Sequence, residues 1–190
     1  MAKFIAVLGG GISGYGSAIL AKKQGFDVLL SDMGKISPLY RSRLEEWGVE
    51  YEEGGHSVER ILTASEVIKS PGIPDTAPMV KALIEKGVPV ISEMEFACRY
   101  MGKARTICIT GSNGKTTTTS LIYKIMKDSG ANVALGGNIG ESFAYSVVWP
   151  TAMTNIPVRP WRALTMYPSA WGKIIESMQP ICARTGGISM

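Results

Sequence analysis

Two apolar segments of this chain each lead through a glycine-rich turn into a helical segment. The first is "KFIAVLGGGISGYGSAILAKK" at residues 3–23, and the second is "RTICITGSNGKTTTTSLIYKIMK" at residues 105–127. In a parallel sheet, a turn of this kind presents backbone N–H groups at a helix N-terminus, where they can hold a phosphate. The two segments therefore favour an α/β fold with two nucleotide-type sites.

Strand-like and helix-like segments alternate along the chain from its first residues. The predicted strands are 3–9, 27–32, 49–54, 66–72, 88–92, 105–111 and 132–138, and the predicted helices are 13–25, 37–48, 77–87, 93–102 and 115–130. Repeated β-α-β order predicts a mostly parallel sheet with covering helices and right-handed crossovers. We expect a Rossmann-like parallel-sheet domain over 1–102, followed by the start of a P-loop ATPase-like central domain over 103–146.

The last segment, 147–190, differs in composition from the rest. It holds five of the ten prolines and three of the four tryptophans, no Asp, and Glu176 as its one acidic residue. Hydrophobic periodicity is poor there apart from 169–178, so no fold is predicted for it. Two explanations stay open for this divergent tail: an irregular or disordered surface extension, or a shifted reading frame.

Charge and cysteine usage exclude several classes of function. The net charge is +4 and the positive residues are scattered, which favours anionic small molecules over nucleic acid as partners. Cys98, Cys108 and Cys182 are far apart, and His56 is the single histidine, so neither a zinc site nor a disulfide framework is indicated. No apolar run is long enough to span a membrane. We expect a cytoplasmic protein, with His56 in a solvated or capping role.

The first glycine turn satisfies the dinucleotide fingerprint G-x-G-x-x-G. Gly9, Gly11 and Gly14 follow a predicted strand and open a predicted helix, and Asp32 ends the next strand 18 residues later. Glycine lets the backbone approach a phosphate, and an acidic residue at that position can accept a hydrogen bond from a ribose hydroxyl. The pattern predicts a nucleotide or nucleotide-sugar site, with NAD binding and a tight turn without a ligand as alternatives.

The second glycine turn is a shortened phosphate-binding loop. The general pattern G-x-x-x-x-G-K-[ST] would need its first glycine at Ile109, but the glycine stands at Gly111. The residue types still fit ATP, since Lys115 can reach the β- and γ-phosphates and Thr116 can ligate Mg²⁺. A Ser/Thr-rich helix cap is the alternative. Two nucleotide-type sites in one chain argue against a simple dehydrogenase.

Five motifs together resemble the Mur ligase superfamily. They are "LGGGISG" (8–14), "KSPGIP" (69–74), "ISEMEF" (91–96), "ITGSNGKTT" (109–117) and "LGGNIG" (135–140), in the order found in its D-glutamate-adding branch. The resemblance covers 1–146. It implies an ATP-dependent ligase of peptidoglycan synthesis, acting as a cytoplasmic monomer, that joins D-glutamate to UDP-N-acetylmuramoyl-L-alanine through an acyl phosphate.

The resemblance also implies site residues, motif by motif. The UDP-linked substrate would be bound by Ile12, Ser13, Gly14, Asp32, Gly72 and Asn138. ATP would be bound by Gly111, Ser112, Asn113, Gly114, Lys115, Thr116 and Thr117. The catalytic residues would be Lys115, on the phosphates, and Thr116, on Mg²⁺.

The superfamily's later motifs do not occur in 147–190. These are a strand with a Glu and a Ser-Ser-Phe motif, a His, a carbamylated lysine, and a C-terminal domain that binds the amino acid. We therefore expect the C-terminal domain to be missing and the chain to be a truncated form that binds nucleotide weakly without turnover. Two alternatives stay open: an alanine-adding Mur ligase, which usually has a His where Asn113 stands, and a non-catalytic nucleotide-binding fragment.

Overall fold

The structure, a computed structural model, describes residues 3–102, 104–137 and 139–148, and the backbone of 161–165. The chain divides into two compact units, Met1–Ala97 and Cys98–Met190. Each unit contains a parallel sheet with helices between its strands. The predicted α/β fold is thereby confirmed, whereas the domain limits at 102 and 146 stay predictions.

The first unit alternates strands and helices in chain order. Its strands are β1 Phe4–Leu8, β2 Asp27–Asp32, β3 Glu50–Glu53, β4 Glu66–Lys69 and β5 Val90–Ser92. Its helices are α1 Ile12–Lys23, α2 Pro38–Glu46, α3 Val58–Ile61 and α4 Pro78–Glu85, and α5 Glu93–Cys98 lies at the division between the units. The sheet is parallel throughout, in the order β3-β2-β1-β4-β5.

The central strand β1 fixes where a ligand crevice can form. Residues 5–8 are at most 1% exposed, as expected for an apolar strand covered on both faces of a parallel sheet. β1 pairs with β2 on one side and with β4 on the other. The direction of strand addition reverses between β1 and β4, so a crevice opens at their carboxyl ends.

The ends of the first two helices follow local sequence signals. Pro38 occupies the first position of α2, and the backbone N–H of Tyr40 donates to the Ser37 hydroxyl at 3.5 Å. Gly25 and Gly48 follow α1 and α2 with φ of +84° and +60°, a region where glycine carries no steric cost. The helix ends predicted at these two glycines are therefore confirmed.

The second unit has a smaller parallel sheet. Its elements are β6 Arg105–Ile109, α6 Lys115–Asp128, β7 Val133–Gly137, α7 Phe143–Val148 and β8 Trp161–Thr165. The strand order is β6-β8-β7, with β8 parallel to both neighbours.

The strand β8 lies within the segment for which no fold is predicted from the sequence. The crossover through α6 leaves a gap of one strand between β6 and β7, and the backbone of β8 pairs with both. Main-chain hydrogen bonding in such a gap does not depend on a hydrophobic period, so the sequence pattern gives no sign of it. The rest of the tail, 149–160 and 166–190, lies outside the described residues.

Two short helices are also absent from the sequence prediction. α3 and α7 have four and six residues, too short for a helical period to stand out. Within the residues that the structure describes, no helix combines the length and the apolar character needed to cross a membrane.

Candidate functional sites

The first glycine turn lies in the crevice at the carboxyl ends of β1 and β4. Gly9 adopts φ +95°, and its N–H donates to the Ser31 carbonyl at 2.9 Å. A Cβ at this position would lie 2.7 Å from the Ser70 Oγ. Glycine is therefore required here both by the backbone conformation and by the close approach of the loop after β4.

Gly11 and Gly14 have different surroundings in the same turn. A Cβ on Gly14 would lie 1.7 Å from the Gly9 carbonyl oxygen, so glycine at 14 lets α1 begin directly against the turn. A Cβ on Gly11 would meet no atom within 4 Å, and Gly11 caps α1 without a side-chain hydrogen bond. The turn is therefore open at Gly11, where a phosphate could reach the backbone.

Three residues assigned to the UDP-linked substrate form the start of α1. The N–H groups of Ile12, Ser13 and Gly14 have no acceptor one turn earlier in the helix, whereas the N–H of Tyr15 donates to Gly11 at 3.0 Å. The helix dipole adds partial positive charge at the same place. This helix start can hold an anion, and its contact with a UDP phosphate stays a prediction.

Asp32 ends β2 beside the glycine turn, and its carboxylate bonds to two backbone N–H groups. Oδ1 accepts a hydrogen bond from Gly34 at 2.6 Å, and Oδ2 accepts a short one from Gly10. The side chain therefore joins the turn after β1 to the turn after β2. Carboxylate oxygens have two lone pairs each, so acceptor capacity remains for the predicted ribose or uracil contact.

The loop after β4 carries Gly72 and packs on the first glycine turn. The Ser70 N–H donates to the Leu8 carbonyl at 3.0 Å, and the Ser70 hydroxyl donates to Gly9 at 3.5 Å. Gly72 is exposed, and a Cβ on it would meet no atom within 4 Å. The motifs "LGGGISG" and "KSPGIP" thus lie side by side, although Gly9 and Ser70 are 61 residues apart in the chain.

Two contacts that support this loop were not predicted from the sequence, although their donor Lys69 opens the motif "KSPGIP". Lys69 Nζ donates to the Ile73 carbonyl at 2.6 Å and pairs with the Asp75 carboxylate at 3.0 Å. The Lys69 side chain is 18% exposed, whereas that of Asp75 is 78% exposed. A lysine at the end of a buried strand, directly before Ser-Pro-Gly, is the signal that could have indicated these two contacts. We call the contacts of Lys69 with Ile73 and Asp75 the Lys69 brace.

The second glycine turn joins β6 to α6. Gly111 and Gly114 have φ of +146° and +76°, both in the region that favours glycine. Gly114 is the N-cap of α6 and makes no side-chain capping bond, and the Thr118 N–H donates to its carbonyl at 2.9 Å. The geometry therefore gives no support to a Ser/Thr side-chain cap as the reason for this sequence.

Lys115 folds back over the loop that precedes it. Its Nζ donates to the Gly111 carbonyl in a short bond and to the Ser112 carbonyl at 3.1 Å. An ammonium has three N–H donors, so one remains for a phosphate oxygen beside the loop. This placement fits the predicted phosphate contact of Lys115 without demonstrating it.

The remaining ATP-loop residues lie on the surface of the second unit. Ser112, Asn113, Thr116 and Thr117 are exposed, with both threonines in the first turn of α6. Among the described side chains, no group of three His, Cys, Asp or Glu residues could hold a metal ion. An Mg²⁺ ion at Thr116 would be expected to take phosphate oxygens and water among its ligands. Asn138, assigned to the substrate, lies outside the described residues.

Two family models match this chain. Residues 3–92 match the model described as Mur ligase MurD-like, N-terminal domain, and residues 109–157 match the Mur ligase middle domain. Both glycine turns fall within the matched ranges.

Curated relatives from several bacteria agree with these models. A protein of Bacteroides fragilis named UDP-N-acetylmuramoylalanine–D-glutamate ligase is 58% identical over 145 residues, which cover 76% of this chain and 32% of the relative. Proteins of the same name from Christiangramia forsetii and Cytophaga hutchinsonii are 52% and 46% identical, each with 33% of its length covered. The chain thus spans about a third of the length of these relatives.

Solved structures agree with the fold. A murein peptide ligase of the UDP-N-acetylmuramate:L-alanyl-γ-D-glutamyl-meso-diaminopimelate type, from Neisseria meningitides, matches 86% of this chain and 52% of its own with a TM-score of 0.60 and 24% identity. A murein peptide ligase from Psychrobacter arcticus matches 86% of this chain and 37% of its own, with a TM-score of 0.58 and 20% identity. These two matches support the fold alone. The family models and the relatives show that the chain belongs to the Mur ligase family, with a MurD-like N-terminal domain.

Proposed function

We propose that this chain functions in the ATP-dependent ligation of D-glutamate to UDP-N-acetylmuramoyl-L-alanine in peptidoglycan synthesis. The glycine turn of the first unit binds the UDP-linked substrate, and the turn of the second unit binds ATP. Support comes from relatives of that name at 46–58% identity. Because the chain spans about a third of their length, the part of the proposal that this chain itself can test is nucleotide binding.

The observation that carries the proposal is the pair of glycine turns, one in each parallel sheet. The first is open at Gly11 beside the start of α1, where free N–H groups suit a diphosphate. In the second turn, Lys115 donates to the Gly111 and Ser112 carbonyls and has one N–H donor left for a phosphate. A dehydrogenase needs the first turn and has no use for the second.

The chemistry of amide formation explains why an ATP loop is needed. A free carboxylate is a poor acyl donor, and ATP, when bound, supplies the phosphoryl group that gives it a leaving group. The N–H groups of the loop and the Lys115 ammonium stabilise negative charge on the phosphoryl group as it moves. The Thr116 hydroxyl would hold Mg²⁺, which would neutralise charge on the phosphates.

The proposal includes a cellular setting and a domain organisation. The chain acts in the cytoplasm as a monomer on small molecules, without nucleic-acid or membrane partners. The scattered positive charge suits anionic nucleotides. Residues 1–102 form the UDP-substrate domain and 103–146 the first part of the ATP domain.

Isothermal titration calorimetry on the 190-residue chain tests the proposal. UDP-N-acetylmuramoyl-L-alanine is expected to bind more tightly than UDP-N-acetylmuramate, and ATP with Mg²⁺ is expected to bind at a separate site. NAD is the control ligand and should give no heat.

Each contrary outcome has a distinct meaning. Tighter binding of UDP-N-acetylmuramate would favour the alanine-adding branch, and binding of NAD in the first unit would favour a dinucleotide-dependent enzyme. A folded chain that binds none of these ligands would be a non-catalytic fragment, and the proposal would be wrong.

A further inference from the structure

A buried serine beside the first glycine turn is tied to the single histidine of the chain. Ser31, in β2, has no exposed surface, and its Oγ lies 2.6 Å from Glu52 Oε1 and 2.5 Å from His56 Nδ1. Glu52 also accepts from Ser57, through the backbone N–H at 2.8 Å and the hydroxyl at 2.5 Å. We call Ser31, Glu52, His56 and Ser57 the Ser31 cluster. His56 is half-buried, and its bond to Ser31 adds a contact that the expected solvated or capping role does not include.

Counting protons in the Ser31 cluster fixes the role of each group. Burial raises the pKa of Glu52, but hydrogen bonds from Ser31 and Ser57 and the nearby His56 lower it, and the net direction is downward. Glu52 is therefore ionised at neutral pH and can only accept hydrogen bonds. Ser31 Oγ also lies 3.3 Å from the Gly55 carbonyl, but the charged Glu52 oxygen is much nearer and takes its one hydroxyl hydrogen. His56 Nδ1 must then carry a hydrogen and donate it to Ser31 Oγ.

The loop that carries His56 also supports the backbone next to the glycine turn. Gly54 donates to the Gly34 carbonyl at 3.2 Å, and Gly55 donates to the Asp32 carbonyl at 3.4 Å. Asp32 in turn accepts from Gly10, and the Ser31 carbonyl accepts from Gly9 at 2.9 Å. A continuous set of hydrogen bonds therefore runs from the loop 54–57 through the end of β2 to the turn.

We propose that His56 is a positioning residue for the nucleotide-sugar site: by donating from Nδ1 to Ser31, it holds the end of β2 and, through it, the first glycine turn in the geometry that binds the UDP-linked substrate. His56 itself does not touch the ligand and takes no part in the chemistry. This inference rests on the proposed function for the identity of the ligand.

The tautomer can be measured without any ligand. Long-range ¹H–¹⁵N correlation spectra of the labelled chain report the protonation of each imidazole nitrogen, and the single histidine makes the assignment unambiguous. The expected result at a pH where the ring is neutral is a protonated Nδ1 and an unprotonated Nε2. A protonated Nε2 with a bare Nδ1 would overturn the inference, whatever the ligand proves to be.

Two substitutions of His56 separate positioning from folding. His56→Ala removes the donor, whereas His56→Asn places an amide N–H near the position of Nδ1. Loss of one such hydrogen bond is expected to weaken binding of UDP-N-acetylmuramoyl-L-alanine about tenfold in the alanine variant, with the asparagine variant restoring most of the affinity. ATP affinity should stay the same in both variants, because the ATP loop lies in the other unit.

A matched control removes a similar hydrogen bond at the opposite, amino-terminal ends of the strands. The Ser65 hydroxyl donates to the Phe4 carbonyl at 2.7 Å, at the amino-terminal ends of β4 and β1. Ser65→Ala should leave the affinity for the UDP-linked substrate unchanged. Equal affinity in the original chain and His56→Ala, or an equal loss in Ser65→Ala, would refute the positioning role. Absence of binding in the original chain would instead refute the proposed function, and the spectrum would still decide the tautomer.

Discussion

At the residue scale, the glycines of the first turn meet separate physical demands. Gly9 needs a positive φ, Gly14 needs the absence of a Cβ against a backbone carbonyl, and Gly11 alone borders open space. The fingerprint G-x-G-x-x-G therefore combines two positions that the fold requires with one that faces the open space where we propose the ligand. Binding can be altered at Gly11 without disturbing the packing that Gly14 provides.

Alanine substitutions should separate these roles. Gly14→Ala is expected to lower the free energy of unfolding by about 3 kcal/mol, because its Cβ would overlap the Gly9 carbonyl. Gly11→Ala should cost less than about 1 kcal/mol, a loss of helix capping alone, yet weaken binding of the UDP-linked substrate. Urea denaturation and calorimetry measure the two quantities. A stable Gly14→Ala, or a Gly11→Ala with full affinity, would contradict this assignment.

At the element scale, the loop after β4 is held by a side chain of the strand itself. Lys69 spans the loop to Ile73 and also meets Asp75. The bond to the Ile73 carbonyl is charge-assisted and largely shielded from water, whereas the pair with Asp75 is open to solvent on the aspartate side. The carbonyl bond should therefore supply most of the support for the loop that carries Gly72.

Substitutions at both ends of this brace should differ in effect. Lys69→Met is expected to lower the free energy of unfolding by about 1–2 kcal/mol and to speed amide exchange in 70–76. Asp75→Ala should cost less than about 0.5 kcal/mol, as for an exposed ion pair. Lys81, an exposed lysine on α4, provides the control as Lys81→Met. Equal effects of Lys69→Met and Lys81→Met would exclude a brace.

At the scale of the whole molecule, each unit has its own sheet and its own glycine turn. The hydrogen bonds that shape the first turn come from β2 and the loop after β4, and those that involve Lys115 come from its own loop. The hydrogen bonds of the two glycine turns therefore come from different sets of residues, and each turn should respond to substitutions in its own unit.

A single substitution in the second unit tests this independence. Lys115→Met removes the ammonium but keeps most of the length of the side chain, and it should weaken ATP binding at least about tenfold. The affinity for UDP-N-acetylmuramoyl-L-alanine should stay within about twofold of the original value, since no bond in the first unit changes. Calorimetry with each ligand provides both numbers. A parallel loss of both affinities would show that the sites are coupled.

The sequence by itself determined the longer helices, most of the strands and the two glycine turns of this protein, because those depend on neighbours along the chain. Gly25 and Gly48 end their helices through local φ preferences, and the two glycine turns follow from strand, turn and helix signals within short segments. The motifs in order were also enough to indicate the Mur ligase family.

Only the tertiary structure decided which of these segments meet. The strand order brings the Ser70 hydroxyl to the Gly9 carbonyl and the His56 ring to the buried Ser31 hydroxyl. It also brings the Asp32 carboxylate to the turns after β1 and β2. The backbone of β8 pairs with β6 and β7 in the gap between them, and side-chain periodicity does not reveal such pairing. Such contacts join residues far apart in the chain, and their hydrogen bonds form only when crossovers bring the strands together, so no local pattern encodes them.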